Sequence, residues 1–256
     1  VSDLETFLTT GVFAFLLCFV RVGTAVMLMP GIGTAYVPQN VRLFFSLAFS
    51  FVLFPLLQSR MPNPLPDTFP LFSLILMEFI IGFFIGTISR VLMAAIDTAG
   101  MIVSTQSSLA NAQLFNPALA SQGSVIGVFL TLTAMMLLFA TDLHHLLILG
   151  IVQSYDIFPI GKEVDFGSMA NFLTDTVAGA FAVGIQMTAP FLVLVLLLYV
   201  GMGIMSKLMP QIQVFMLAVP VQILLALVTL TLVISAMMLV WLAEYEKGMR
   251  FFLGAG

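Results

Sequence analysis

The amino-acid sequence predicts an all-α membrane protein, a multi-helix bundle with broken helices and one polar loop folded inward. Three observations predict it. Hydrophobic residues make up 61% of the 256-residue chain and charged residues 8%, where an average soluble domain carries roughly 25% charged residues. Apolar stretches of the length a helix needs to cross a bilayer, about 20 residues, recur from end to end, and the alternating segments of about ten residues that build a transmembrane barrel do not. The third observation is "STQSSLANAQLFNPALASQGS", Ser104 to Ser124, in which eleven residues are Ser, Thr, Asn or Gln and none is charged.

Six apolar segments follow in order: Phe7 to Met29, Val41 to Leu57, Leu71 to Ile96, Val125 to Val152, Val177 to Met205, and Val214 to Leu242. The third, fourth and fifth exceed the roughly 20 residues of a span, so each is expected to be tilted, broken or partly covered by protein. Ahead of the first stand Asp3 and Glu5, where a secretory signal carries Lys or Arg, which predicts a retained helix. "MPGIGTAYVP", Met29 to Pro38, and "MPQIQVFMLAVP", Met209 to Pro220, each follow an apolar helix carrying one basic residue and read as interruptions. Pro30, Pro38, Pro210 and Pro220, with Pro190 inside the fifth segment, are therefore the expected helix breaks. Pro62, Pro64, Pro66 and Pro70 predict an extended connection between the second and third segments, and the charge-bearing run Gln153 to Asp175 reads as a loop in water. With six spans, Arg60, Lys162, Lys247 and Arg250 fall on one side and Arg42 and Lys207 on the other. The positive-inside rule then places both termini in the cytoplasm.

The residues that cost energy in such a chain are its charges. Arg21, Glu78, Arg90 and Asp97 lie within or at the ends of apolar segments, where an ionised side chain at mid-bilayer costs about 2.5–3.5 kcal/mol. Arg21 and Arg90 either snorkel to the headgroups or pair with Glu78 or Asp97. Arg42 and Lys207 complete the set of buried or interfacial charges. An autonomous multi-pass secondary transporter would use Glu78, Arg90 and Asp97 as intramembrane charges. Against a relay, Glu78 and Asp97 stand more than about five helical turns apart in sequence, so they cannot meet on one helix.

Other chemistry is weakly signalled. The single Cys18 excludes an intrachain disulfide and sits in an apolar run as a small buried hydrophobe. The net charge is −4 with basic residues scattered singly, which leaves no patch for nucleic acid. Asp142, His144 and His145 lack the i, i+4 spacing that puts two ligands on one helical face, and no metal site or cofactor is expected from them. Met202, Met205 and Met209 share a face and read as adaptable packing rather than a copper site. "GFFIG", Gly82 to Gly86, has the spacing that lets two helices approach closely. No nucleophile with base and orienter, no phosphate-binding loop and no zinc spacing occurs, so the chain does not read as an enzyme.

From Thr98 to Thr141 there is no Asp, Glu, Lys or Arg. The polar part of this stretch is too polar for lipid and too uncharged for an ordinary solvated loop. Residues that hydrogen-bond without charge suit a segment buried against protein or lining a wet cavity, where irregular backbone at membrane depth is tolerated. Pro117 and Gly123 stand against a continuous helix. The alternatives are a helix contact with Ser and Asn as glue, and a loop that lines or closes a pore, with no strong site to trap what passes.

Taken in order, Arg21, Pro30, Pro38, Arg42 and Pro55, then Glu78 with Gly82 and Gly86, then Gln106, Ser108, Ala110, Asn116 and Pro117, resemble the FliR family of flagellar type III export gate proteins. The similarity continues through "LLFATDLHHLLI" and "FPIG", with His144 and Pro159, to Pro190 and "MPQIQVFMLAVP" with Pro210, Gln211 and Pro220. Relatives serve in virulence-type injection systems. Two departures are Lys207, where many members have Arg or Asn, and Ser107, where a glycine is common. The resemblance implies a single non-enzymatic export-gate domain without cofactor, with a FliP-like part over about residues 1–175 and a FliQ-like part over 176–256. It implies FliP-like, FliQ-like and FlhB-like partner subunits, membrane lipid, and unfolded export substrates that pass through the assembled core at the flagellar basal body in the bacterial inner membrane. The family's pore plug falls on Gln106, Ser107, Ser108, Leu109, Ala110, Asn111, Gln113, Phe115, Asn116, Pro117 and Ser121. Much of the apolar surface would then face sister subunits, so the six segments need not be simple spans.

Overall fold

A computed structural model of the chain describes residues 2–57, 68–110, 124–209 and 214–253, with side chains omitted at 2–10, 68 and 214–217. Among the described residues the regular structure is helical. Helix α1 spans Ser2–Leu28, α2 Gln39–Leu57, α3 Thr68–Gln106, α4 Val125–Ala140, α5 Leu143–Ile157, α6 Phe166–Leu208 and α7 Val214–Arg250, and a short 3-10 turn, Phe251–Leu253, follows α7. All six expected apolar segments appear as helix, and the fourth is broken: α4 and α5 meet at a bend of 73°. The break is at Asp142, whose φ of 57° lies in the left-handed region that a helix cannot contain.

The prolines divide into two groups. Pro30 and Pro38 lie in the non-helical interval between α1 and α2. Gly31 follows Pro30 with φ 89°, a backbone open to glycine at little cost. Pro210 lies outside the described residues, as do Asn111, Gln113, Phe115, Asn116, Pro117 and Ser121. Pro190 and Pro220, expected as breaks, instead stand inside α6 and α7, as Pro55 does inside α2. A proline removes one backbone donor, and in apolar helices hydroxyl side chains and packed neighbours make good the freed groups. Thr188, two residues before Pro190, donates its hydroxyl to the Ile185 carbonyl at 2.8 Å, next to the Gln186 carbonyl that Pro190 deprives of its helical donor.

Two polar runs are more helical than expected. Helix α3 continues to Gln106, so Ser104, Thr105 and Gln106 extend it rather than begin a loop. Thr105 returns its hydroxyl to the carbonyls of Met101 and Ile102 at 3.0 and 2.8 Å, which suits a polar residue to a helix interior. Gln153–Asp175, expected as one loop, is helical except for residues 158–165. Asp165 is the reason α6 starts where it does. Its carboxylate accepts from the Gly167 and Ser168 backbone N–H groups at 2.9 and 3.3 Å and from the Ser168 hydroxyl at 2.6 Å. These donors, the Ser168 hydroxyl first, hold its pKa below the ordinary value.

That cap makes a prediction. Because its folded pKa is depressed, Asp165 contributes above the unfolded carboxylate value, about 3.9, and the contribution is lost as pH falls through the lower folded value. Asp165→Ala should speed amide hydrogen exchange at Gly167 and Ser168 at neutral pH. Exchange rates equal to those of the parent would show that the cap is idle.

Contacts divide the chain into two compact units: Val1–Leu92 with Thr141–Thr176 and Tyr245–Gly256, and Met93–Ala140 with Val177–Glu244. Helices α3, α6 and α7 each contribute to both. In the first unit α1 packs on α2, with Phe15 edge-on to Phe51 and Phe54. It also packs on α3, where Cβ atoms at Gly82 and Gly86 would fall onto Arg21, Thr24, Ala25 and Leu28, so the close approach that "GFFIG" predicts is present. Phe84 meets Phe158, Phe172 and Phe252 at 5.9–6.2 Å between ring centroids. In the second unit α3 and α4 form an antiparallel pair, and Gly184 on α6 lies against Ala95 and Thr98.

Helices α3, α6 and α7 contain 39, 43 and 37 residues. At 1.5 Å per residue each is roughly 55–65 Å long, about twice a 30 Å hydrocarbon core. Yet only 22–39% of their apolar windows is buried. Large apolar faces such as Phe69, Phe72 and Leu76, or Leu196, Leu197 and Val200, are left open to lipid or to other protein.

Candidate functional site

Among the described residues two polar constellations stand out, one in each unit. The first is built on Arg21 of α1, which is fully buried. Its Nε donates to Glu78 Oε2 at 2.6 Å and its Nη2 to Glu78 Oε1 at 2.8 Å, a bidentate pair with α3. Nη2 also donates to the Phe158 carbonyl at 2.9 Å and Nη1 to the Ser154 hydroxyl at 3.3 Å. The guanidinium carbon lies 3.9 Å from the centroid of the Tyr155 ring, so an aromatic face covers the charge from a further side. Cys18, one turn before Arg21, is buried as expected and donates to the Ser50 carbonyl on α2 at 3.7 Å. Thus the open choice for Arg21 is decided in favour of pairing with Glu78. The arrangement ties α1, α3, and α5 with the residue that follows it.

A relay would need Glu78 to exchange protons, and its two oxygens are occupied by one guanidinium. The remaining charges are placed differently. Asp97 is exposed on α3 and accepts from the Thr131 hydroxyl of α4. Arg90 is exposed, and Lys207 is exposed in the last turn of α6, where a cation complements the helix dipole. Arg42 is half-buried and donates to the Gly33 carbonyl at 3.4 Å.

Asp142, His144 and His145 do come together, contrary to the spacing argument. Their ligand atoms lie within 4.8 Å of one another, and the two imidazoles are 4.2 Å apart between centroids. The left-handed turn at Asp142 removes the regular helical geometry on which that argument rested. An ion coordinated at about 2.0–2.2 Å would draw ligand atoms closer than this, so the trio is a looser group than a formed site. Of the three methionines, Met202 is buried against Ala218 and Leu198, while Met205 and Met209 are exposed.

The second constellation is the base of the uncharged stretch. Gly100 of α3 and Gly127 of α4 are in backbone contact, since a Cβ on Gly100 would fall on the Gly127 Cα. Ser124 bridges them: its hydroxyl donates to the Gly100 carbonyl at 3.0 Å and accepts from the Gly127 N–H at 2.9 Å. The chain therefore enters α4 beside Gly100, within two turns of the end of α3. At the departing end Ser107 is buried and donates its hydroxyl to the Ser104 carbonyl at 3.0 Å, and the Ala110 N–H reaches that same carbonyl at 3.1 Å. Ser108 has φ 60°, a left-handed conformation that costs a non-glycine residue about 1–2 kcal/mol, and its hydroxyl donates to Gln222 Oε1 of α7. Gln222, buried to 4% exposure, was not singled out from the sequence. The available signal was a lone amide on the stripe Ala218, Gln222, Ala226 and Leu230.

Of the expected plug residues, Gln106 ends α3, and Ser107, Ser108, Leu109 and Ala110 form the turn that follows it.

Comparison with known proteins agrees with the resemblance drawn from the sequence. Residues 12–248 match the family model described as bacterial export proteins, family 1. The chain is 37% identical over 242 residues to the flagellar biosynthetic protein FliR of Caulobacter vibrioides, covering 94% of this chain and 96% of that one. It is 26% identical over 230 residues to the flagellar biosynthetic protein FliR of Bacillus subtilis, covering 89% and 88%. It is 31% identical over 173 residues to the Yop proteins translocation protein T of Yersinia pestis, covering 67% and 66%. With its matches running from α1 into the last turn of α7, this helical membrane chain belongs to family 1 of the bacterial export proteins, the FliR family.

Proposed function

We propose that the chain is a non-enzymatic subunit of the flagellar type III export gate, forming part of the channel core through which unfolded flagellar subunits pass, and that Gln106 to Ser121 plug the closed pore. The observation that carries the plug reading is the pinned base of the uncharged stretch. Gly100, Ser124 and Gly127 hold its two ends together, and no charged residue lies anywhere between them. A loop with a fixed base and a neutral polar body can block a pore without offering a strong binding site to its cargo.

The long helices and their open apolar faces favour partners as well as lipid. FliP-like and FliQ-like subunits would cover these faces, with the FliP-like part of this chain over about residues 1–175 and the FliQ-like part over 176–256, and an FlhB-like subunit would join them. The setting is the bacterial inner membrane at the flagellar basal body.

Deleting Gln106 to Ser121 should make the assembled complex leak ions or small molecules while it still co-purifies with FliP-like and FliQ-like proteins. Unchanged permeability in an intact complex would remove the plug role. A monodisperse monomer that transports a solute would replace the gate reading altogether.

A further inference from the structure

We propose that Gln222 is a positioning residue that sets where the uncharged stretch begins, by holding Ser108 in its left-handed turn. Both residues belong to the same compact unit. Gln222 lies on the inward stripe of α7 with Ala218 one turn before it and Ala226 one turn after, and Ala218 packs on Met202. An amide among small and apolar side chains is satisfied there only by a specific partner, and Ser108 supplies it.

The contact falls at a structurally decisive place. Helix α3 stops at Gln106, and the chain changes direction at Ser108, the one residue between Gln106 and Ala110 with a positive φ. The buried Ser104 carbonyl collects the Ser107 hydroxyl and the Ala110 N–H, so the turn is tied back to α3 on its other side. Without the Gln222 acceptor, Ser108 would keep an unfavourable conformation with no compensating bond, and the turn would favour other geometries. The turn that ends α3, up to Ala110, thus depends on α7, more than a hundred positions away in sequence. The effect on export rests on the plug reading above; the positioning itself does not.

Amide hydrogen exchange at Ser107, Ser108 and Ala110 tests the contact in the full-length chain within its purified membrane assembly. Gln222→Leu should raise exchange at these amides about two- to tenfold, the population shift expected for one lost hydrogen bond. Gln222→Glu, measured at a pH that keeps the buried carboxyl protonated, retains an acceptor oxygen without a charge and should restore slow exchange, which a general packing defect would not do. Ser108→Ala should resemble Gln222→Leu, and Ser108→Gly, which relieves the left-handed turn while losing the hydroxyl, should have the smaller effect. Unchanged exchange in Gln222→Leu, or no rescue by Gln222→Glu, overturns the proposal. Permeability separates it from the plug reading: if deletion of Gln106 to Ser121 causes no leak, that reading fails while exchange still decides the role of Gln222.

Discussion

Arg21→Leu is expected to destabilise the protein by about 3–5 kcal/mol, the usual cost of removing one partner from a buried ion pair. The reason is the Glu78 carboxylate that stays behind. It is 1% exposed, and Arg21 supplies both of its close ionic contacts, at 2.6 and 2.8 Å. Glu78→Gln should cost a comparable amount from the other side, since it leaves a buried guanidinium with neutral acceptors and the Tyr155 ring but no counter-charge. The double variant Arg21→Leu, Glu78→Leu should lose clearly less than the sum of the single changes, because it removes both charges. Denaturant unfolding of the purified protein, with subunit composition held constant, measures the three values. Additive losses would mean that the pair is not coupled and that some other charge serves each partner.

The second large effect is expected at Gly100. Gly100→Val should destabilise the contact of α3 with α4 by about 1–3 kcal/mol or more. The new Cβ would fall on the Cα of Gly127. That Cα and the Gly127 N beside it are backbone, so no side chain can rotate aside and the helices must separate. Separation would also break the Ser124 bridge at 3.0 and 2.9 Å and loosen the base of the uncharged stretch. Gly201 is the control. It lies inside α6 with nothing within 4 Å of an added Cβ, and Gly201→Ala should be stabilising by about 0.5–1 kcal/mol through its lower helix-forming entropy cost. A midpoint for Gly100→Val equal to that of the parent would show that the α3–α4 contact is not tight.

Much of the fold is legible in the composition and spacing of the chain. Runs of apolar residues with few charges have a single inexpensive solution in a membrane, the helix, because every backbone group must find its partner within the segment. The close approach at Gly82 and Gly86 is legible too, since small residues a helical turn apart admit another backbone. Prolines were a poorer guide. At Pro30 the following glycine and the chain reversal make a break, while Pro190 and Pro220 sit inside continuous helices. Identical residues have different consequences there because the surrounding turns differ.

The candidate sites were legible only in part. Arg21 and Glu78 stand out as expensive residues in apolar segments, and a cost of that size predicts a remedy. The remedy itself draws on Ser154, Tyr155 and Phe158, which are ordinary residues in the sequence and reach Arg21 only by position. Gln222 belongs to the same class. Its importance comes from a turn more than a hundred residues earlier, and no periodicity links the two. Asp142 shows the converse: its left-handed backbone brings two histidines and a carboxylate together where helical spacing would have kept them apart.

By itself the sequence determined that this protein is helical, lives in an apolar setting, carries few charges that each need a remedy, and contains an uncharged polar stretch from Ser104 to Ser124. These are local properties, set by side-chain transfer energies and backbone hydrogen bonding. Only the tertiary structure decided which charge meets Arg21, which helix holds Ser108, and that the start of α4 packs on Gly100 of α3. Such pairings join residues 57 and 114 positions apart, and they depend on how whole helices pack rather than on anything encoded within one of them.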